Sequence, residues 1–228
     1  MATRLRRVRT HLALVTVFGP VLGMVATVVF GAWLPGLAIP VVLLVAGLSY
    51  IHARRFRPRR WPLAAAALGV LHGGYLGSAV PASPWLTIPL GAAVFAVAGW
   101  WVADQARRAV LEPYTPELAD SLVEVPWRAR GARKLELVVG TDRITLTGSK
   151  GRFRTVRPMV ALNVVGTVEQ VMVARRATLP VPGVGELRVT VTPGPAVRIT
   201  VPPGEWIVPT DNGREIAKLV ARRKKLAE

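Results

Sequence analysis

The sequence contains no cysteine and only three histidines among its 228 residues, and both shortages limit its chemistry. Without cysteine there can be no disulfide, thiol nucleophile, thiolate zinc site or protein-ligated iron–sulfur cluster. The histidines, His11, His52 and His72, all lie in the first third, so the remainder cannot assemble a Ser-His-Asp triad or a histidine metal site. The phosphate-binding patterns GxxxxGK[ST] and GxGxxG are also missing. We therefore predict no cofactor, no metal and no enzyme activity.

Acidic residues are almost absent from the first half of the chain. Residues 1–111 hold 11 arginines, no lysine and one acid, Asp104, whereas residues 112–228 hold 19 basic and 12 acidic side chains. The net charge is +17, yet 51% of the residues are hydrophobic. This combination is typical of a membrane protein with basic flanks and excludes extensive disorder. We interpret the excess of arginine over lysine as the mark of a high-GC bacterial genome.

Four apolar stretches in the first half predict four transmembrane helices. Crossing a hydrocarbon core of ~30 Å takes roughly 20 helical residues, and none of the stretches has a polar face. The second stretch is short and needs Gly36 or the snorkelling Arg54 and Arg55 to complete the crossing. The first is too long for the apolar region of a signal peptide, so we expect an uncleaved helix. The stretches are residues 12–33, 37–52, 62–80 and 85–103.

The arginines predict the orientation of these helices. Basic loops are retained in the cytoplasm, and the two other connections, residues 34–36 and 81–84, carry no positive charge. Both termini are therefore predicted to be cytoplasmic, in a bacterial plasma (inner) membrane. The clusters are Arg4, Arg6, Arg7 and Arg9 before the first stretch, Arg54, Arg55, Arg57, Arg59 and Arg60 after the second, and Arg107 and Arg108 after the fourth.

Glycines at a spacing of four form flat stripes on two of the predicted helices. Gly69, Gly73 and Gly77 lie on the third helix, and Gly19 and Gly23 lie on the first. A stripe of this kind lets a neighbouring backbone approach closely. The neighbour is either another helix of the same bundle, which we favour, or a second copy of the chain.

His72 is the only ionisable residue deep within a predicted span. Such a residue suggests a functional site, such as a proton relay or a ligand. Because it has no carboxylate partner, we favour a neutral imidazole bonded to a neighbouring carbonyl. Asp104, at the cytoplasmic edge, is predicted to be a surface partner of Arg107 and Arg108 at helical spacing.

From residue 133 onward, apolar and polar residues alternate, which predicts an antiparallel sheet. A helix over residues 212–226 closes the chain, with Asn212 as its N-cap and Glu215 completing a capping box. Three regions follow: a four-helix transmembrane domain at 1–111, a linker at 112–132 and a cytoplasmic β domain at 133–228. The predicted strands are residues 135–139, 143–147, 153–158, 160–165, 168–175, 187–192, 197–201 and 204–208.

This order of about seven short strands and a terminal helix resembles the pleckstrin-homology-like superfold over roughly residues 133–226. The resemblance implies a small antiparallel β-barrel or roll with a C-terminal helix, attached to membrane helices in bacteria. It also implies that a basic stretch in an early hairpin contacts lipid headgroups. Lys150, Arg152 and Arg154 occupy a similar position here, and their alternation would place all three on one strand face.

We therefore expect a non-enzymatic membrane scaffold or accessory protein that presents a cytoplasmic β domain at the inner leaflet. Its expected partners are the bilayer, anionic phospholipid and an unidentified protein, and not nucleic acid, because attraction to the anionic leaflet explains the basic charge. One alternative is a small transporter or channel subunit built on the glycine-rich third helix and His72. A membrane-embedded enzyme is a further alternative.

Overall fold

The first unit of the structure, Met1–Pro113, is helical, and each of the four apolar stretches forms a helix. Its helices are α1 Ala2–Val29, α2 Ala38–Ala53, α3 Trp61–Ala79 and α4 Pro84–Leu111, with single 3-10 turns before α2 and α3. Proline opens α3 and α4, where its missing N–H has no intrahelical partner to lose. This computed structural model describes residues 2–30, 34–80, 83–112, 114, 116–132, 135–150, 154–181, 188–202 and 204–227.

Two of the described helices are long and apolar enough to cross a membrane, rather than the four that the sequence predicts. They are Val8–Val29 within α1 and Pro84–Leu111, which is α4. Helix α2 has only 16 residues, and the glycines, His72 and Tyr75 of α3 reduce its apolar character. A core helix of a soluble protein passes the same test but is mostly buried, whereas 6% of the span in α4 is buried.

Helices α3 and α4 form an antiparallel hairpin in which the two backbones touch. A Cβ atom on Gly69, Gly73 or Gly77 would overlap a backbone carbonyl of α4, that of Phe95, Gly91 or Thr87 respectively. Residues four apart on one helix therefore face residues four apart on the other. The Thr87 hydroxyl also donates a hydrogen bond across the hairpin to the Gly77 carbonyl, at 2.7 Å. These contacts require residues without side chains.

Helix α1 packs against the hairpin through its own glycines. A Cβ on Gly19 would lie 2.7 Å from the imidazole of His72, and one on Gly23 would lie 3.2 Å from the Tyr75 ring. All five glycines of the two predicted stripes thus lie at contacts between helices of a single chain.

The second unit, Tyr114–Glu228, contains antiparallel sheets and two helices, α5 Pro116–Ala119 and α6 Gly213–Ala227. The sheets pair in the orders β1-β2-β3-β4 with β5 also on β3, β10-β9-β6, and β7-β8. The described strands are β1 Val125–Arg128, β2 Glu136–Val139, β3 Arg143–Lys150, β4 Arg154–Val156, β5 Met159–Ala161, β6 Val168–Val173, β7 Ala177–Pro180, β8 Arg188–Val191, β9 Gly194–Val201 and β10 Gly204–Pro209.

The described strands do not close into a barrel, so that part of the fold prediction is wrong. Strand β1 ends its sheet because Pro126 lacks the N–H that a further strand would need, which is typical of an edge strand. Strand β6 ends the second sheet, and Glu169 and Gln170 lie exposed on it. What the structure shows is a set of antiparallel sheets with a C-terminal helix.

Several boundaries in the second unit also differ from the sequence prediction. The predicted linker, residues 112–132, contains α5 and β1 and belongs mainly to the second unit. The predicted strand at 160–165 stops at Ala161, because Leu162–Val164 turns as a 3-10 helix. Strands β1 and β7 were not predicted, since each has four residues and contains a proline.

Helix α6 covers the core of the second unit with the face that the sequence predicts. Ile216, Leu219 and Val220 are buried on it. They accompany a core of aliphatic side chains from β2, β3, β9 and β10 and two tryptophans, Trp127 and Trp206. The largest of these buried side chains are Leu137, Ile144, Leu146, Ile199 and Trp206.

Arg130 links the first sheet to the second. It follows β1, and its backbone N–H donates to the Pro209 carbonyl at 2.7 Å. Its guanidinium donates to the Pro193 and Pro195 carbonyls at 3.0 and 3.2 Å and pairs with Asp211 at 2.5 Å. The end of β1, the start of β9 and the segment before α6 are thereby held together.

The helix hairpin yields a prediction with a matched control. Gly73→Ala places a methyl group on the Gly91 carbonyl and should destabilise the first unit by about 1–3 kcal/mol or more, through overpacking. At Gly74, a new Cβ meets nothing within 4 Å, so Gly74→Ala should be tolerated. Melting temperatures of the two variants in detergent check this, and equal values would contradict close packing at Gly73.

Candidate functional site

The predicted basic cluster lies across a hairpin and not along one strand. Lys150 ends β3 and Arg154 begins β4, and the two residues are directly opposite in the antiparallel register. Arg152 lies in the connection at 151–153, outside the described residues. The structure thus brings two of the three predicted residues together, by strand pairing and not by alternation.

His72 lies buried on α3 against Gly19 of α1, with 4% of its surface exposed. Its Nε2 atom makes no hydrogen bond within the part of the chain that the structure describes. The predicted bond to a carbonyl is therefore not made by Nε2. The close approach of α1 across Gly19 encloses the imidazole.

The hydroxyl groups beside His72 are already bonded, mostly to backbone carbonyls. Thr16 donates to the Leu12 carbonyl at 2.9 Å, one helical turn back. Thr27 likewise donates to the carbonyl of Gly23 at 2.8 Å. Tyr75 donates to the Gly36 carbonyl at 3.0 Å, and its oxygen lies 2.5 Å from that of Thr27. The contact between the Thr27 and Tyr75 hydroxyls joins α1 to α3, and groups that are bonded in this way do not line an open polar path.

Asp104 pairs with both predicted partners, but it is buried and not at the surface. The Nε atoms of Arg107 and Arg108 each donate to one of its carboxylate oxygens at 2.9 Å. Only 7% of the Asp104 side chain is exposed, and Ala103, Ala106 and Val110 of α4 are buried too. Two arginines and one carboxylate leave one net positive charge at this end of α4.

The sequence analysis missed Arg223, which is the most extensively bonded side chain of the second unit. It lies on α6 with 2% of its surface exposed and donates to six backbone carbonyls at 2.7–3.3 Å. Burial lowers the pKa of this guanidinium to about 10, so it remains charged at neutral pH. The acceptors are Leu118, Ala119, Ser121 and Val123, within and after α5, and Val139 and Gly140 at the end of β2.

Helical spacing is the signal that could have identified Arg223. It lies seven residues after Ile216, so it continues the buried stripe of α6 instead of the exposed face. An arginine fits there because its five N–H donors can bond to the several carbonyls that converge on this position. Its role is to fasten α6 to the segment that follows α4.

Within the described residues, no group of three or more His, Asp or Glu side chains could hold a metal ion. The absence of cofactor and of enzyme activity stays a prediction. The features with chemical character are thus the basic hairpin, the buried His72 and the apolar helix surfaces.

Arg223 and its neighbour Arg222 form a second matched pair for mutation. Arg223→Met removes the donor that six interior carbonyls share and should lower the free energy of unfolding of the second unit by roughly 3–5 kcal/mol. Arg222→Met removes only an exposed pair with Asp120 and should leave the free energy of unfolding nearly unchanged. Amide hydrogen exchange in β2 and α6 of the full chain measures both effects. Similar protection in the two variants would contradict the central role of Arg223.

The chain matches no protein-family model, and the comparison with curated proteins likewise gives no match.

Proposed function

We propose that the chain is a non-enzymatic integral membrane protein whose four helices anchor a cytoplasmic β unit at the inner leaflet of a bacterial plasma membrane. It would act there as a scaffold or accessory subunit for a protein partner. The β unit would be an open relative of the pleckstrin-homology-like superfold. The observation that carries this proposal is the outer surface of α4.

The outer surface of α4 is apolar from Trp85 to Trp101. Trp85 is 87% exposed, and more than half of the surface of Leu86, Leu90 and Val97 is exposed as well. Exposing apolar area to water costs about 25 cal/mol per Å², so a contiguous face of this kind needs an apolar cover. Lipid chains provide one for a helix of this length.

Helix α3 supports a four-span arrangement despite its lower apolar content. Its polar and small residues face inward, since His72 is enclosed by α1 and its glycine stripe meets α4. Its outward residues Leu63, Val70 and Leu71 are exposed and apolar. The surface that α3 would offer to lipid is therefore as apolar as that of α4.

The hairpin geometry also supports the orientation that the arginines predict. Gly99 of α4 lies against Ala65 of α3, so the arginines before α3 and those at the end of α4 are at the same end of the hairpin. Cytoplasmic retention of basic residues would place that end inside. Both termini would then be cytoplasmic.

A scaffold is favoured over a transporter or channel subunit by the bonding around His72. A transport path needs polar groups that are free to exchange partners, whereas Thr16 and Thr27 are bonded to carbonyls of their own helix. A single imidazole without a carboxylate neighbour is a poor relay. The membrane-embedded enzyme has no arrangement of described residues in its favour.

Reporter fusions at positions 35, 57, 83 and 228 test the number of spans and their orientation. With four spans, reporters at 57 and 228 should be cytoplasmic, and those at 35 and 83 external. If only α1 and α4 cross, position 57 becomes external while 228 stays inside. An external signal at 57 would therefore contradict the four-span proposal, and one at 228 would contradict the orientation.

We further propose that Lys150, Arg152 and Arg154 rest on anionic headgroups. Three basic residues near the surface supply roughly 3 kcal/mol before salt screening. A fragment of residues 112–228 should bind anionic liposomes at low salt, less so as salt rises, and neutral liposomes hardly at all. Replacing all three residues with serine should remove most of this binding. Undiminished binding by the substituted fragment would exclude the hairpin as the lipid site.

A further inference from the structure

Helix α6 carries a second basic surface, on the face opposite to its buried stripe. Arg214, Lys218 and Lys225 are all exposed and lie at spacings of four and seven, with Ala221 between them. None of these three cations is paired with a residue in the described part of the chain. We call Arg214, Lys218 and Lys225 the basic stripe.

The remaining basic residues of α6 are bound within the unit. Arg222 forms a two-pronged contact with Asp120, at 2.5 and 2.8 Å. Arg223 is buried among carbonyls, and the Lys224 ammonium donates to the Val165 carbonyl at 2.8 Å. The helix thus sorts its cations into a bonded set and a free set, and only the free set is available to an external anion.

The bonded set connects the helix to the chain that leaves α4. Arg222 and Arg223 hold the segment 118–123, and only residues 112–115 separate the end of α4 from the start of α5. The five Cα–Cα steps from Leu111 to Pro116 span about 18 Å at most. In a chain whose α4 crosses a membrane, α6 is therefore fastened to a short tether.

We propose that the basic stripe binds the phosphate groups of anionic phospholipids on the cytoplasmic leaflet, as a surface additional to the hairpin. The inference rests on the proposed membrane location. Charge complementarity carries it, because three unpaired cations share one helix face.

Lipid is favoured over nucleic acid by the tether and by the composition of the face. Single-stranded nucleic acid is bound by aromatic platforms between cations, and α6 contains no aromatic residue. A surface held by four residues to a membrane helix meets anionic headgroups at high local concentration.

The absence of cysteine makes a direct test straightforward. Single cysteines replace Ala221, on the stripe, or Ala174, exposed in the loop after β6, in the full chain. Each is labelled with a fluorophore and reconstituted into vesicles that carry a headgroup-attached quencher. The vesicles contain phosphatidylcholine alone or with phosphatidylglycerol, at low and raised salt.

The label at 221 should be quenched more in the anionic vesicles, and raised salt should reverse the difference, whereas the label at 174 should respond weakly. In the chain labelled at 221, all three residues of the basic stripe are replaced with serine. The ratio of membrane-bound to free second unit should then fall on the order of a hundredfold, at roughly fivefold per residue. A charge-matched control replaces Arg128, Arg175 and Arg176, which are exposed elsewhere. It should keep the quenching.

Equal quenching of the label at 221 in both vesicle types would contradict binding of the basic stripe to anionic lipid. Equal loss of quenching in the stripe variant and in its control would contradict it too, because the net charge of the chain would then explain the effect. If quenching appears only when nucleic acid or a protein extract is added, the basic stripe binds that partner and not lipid, and the proposal is wrong. Failure of the chain to incorporate into vesicles would instead count against the proposed membrane function. The two failures are thus distinguishable.

Discussion

The first unit depends on the direct contact between the backbones of α3 and α4. Gly69, Gly73 and Gly77 leave no side chain between the helices, so carbonyl groups of α4 occupy the space where Cβ atoms would otherwise be. In a bilayer, where burial of apolar area does not drive helix association, close packing of this kind supplies the attraction. It also determines which residues of α3 face inward, because a glycine seam on one face directs His72 toward α1 on another.

Arg223 has the corresponding role in the second unit, where hydrogen bonds and not close packing hold the elements together. Carbonyls of α5, of the segment after it and of the end of β2 converge on Arg223, and a buried carbonyl left unpaired costs free energy. The guanidinium of Arg223 donates to six carbonyls and so joins α6 to residues 118–123 and to the first sheet. Arg130 makes a smaller version of the same connection between the sheets.

The periodicity of apolar residues predicted most of the helices and strands. Where that prediction failed, single residues were the cause. The apolar stretches became α1 to α4, and the buried face of α6 followed from Ile216 and Leu219. Sequence reasoning put Lys150 and Arg154 on one strand, but a chain reversal makes them cross-strand partners, which alternation cannot reveal. Open sheets were missed because Pro126 was read as part of a linker instead of an edge strand. Arg223 was missed because a cation count does not distinguish a charge that faces carbonyls from one that faces solvent.

That distinction changes how the net charge of +17 should be interpreted. Arg107 and Arg108 neutralise a buried carboxylate, Arg222 pairs with Asp120, and Arg223 and Lys224 are occupied by backbone carbonyls. These cations hold the fold together and offer little to an external anion, although each raises the formal charge as much as any other. Only cations that are exposed and unpaired, and that share one face, produce a local field strong enough to bind a charged surface in physiological salt. A basic chain therefore needs its charges assigned one by one before its charge can indicate a partner.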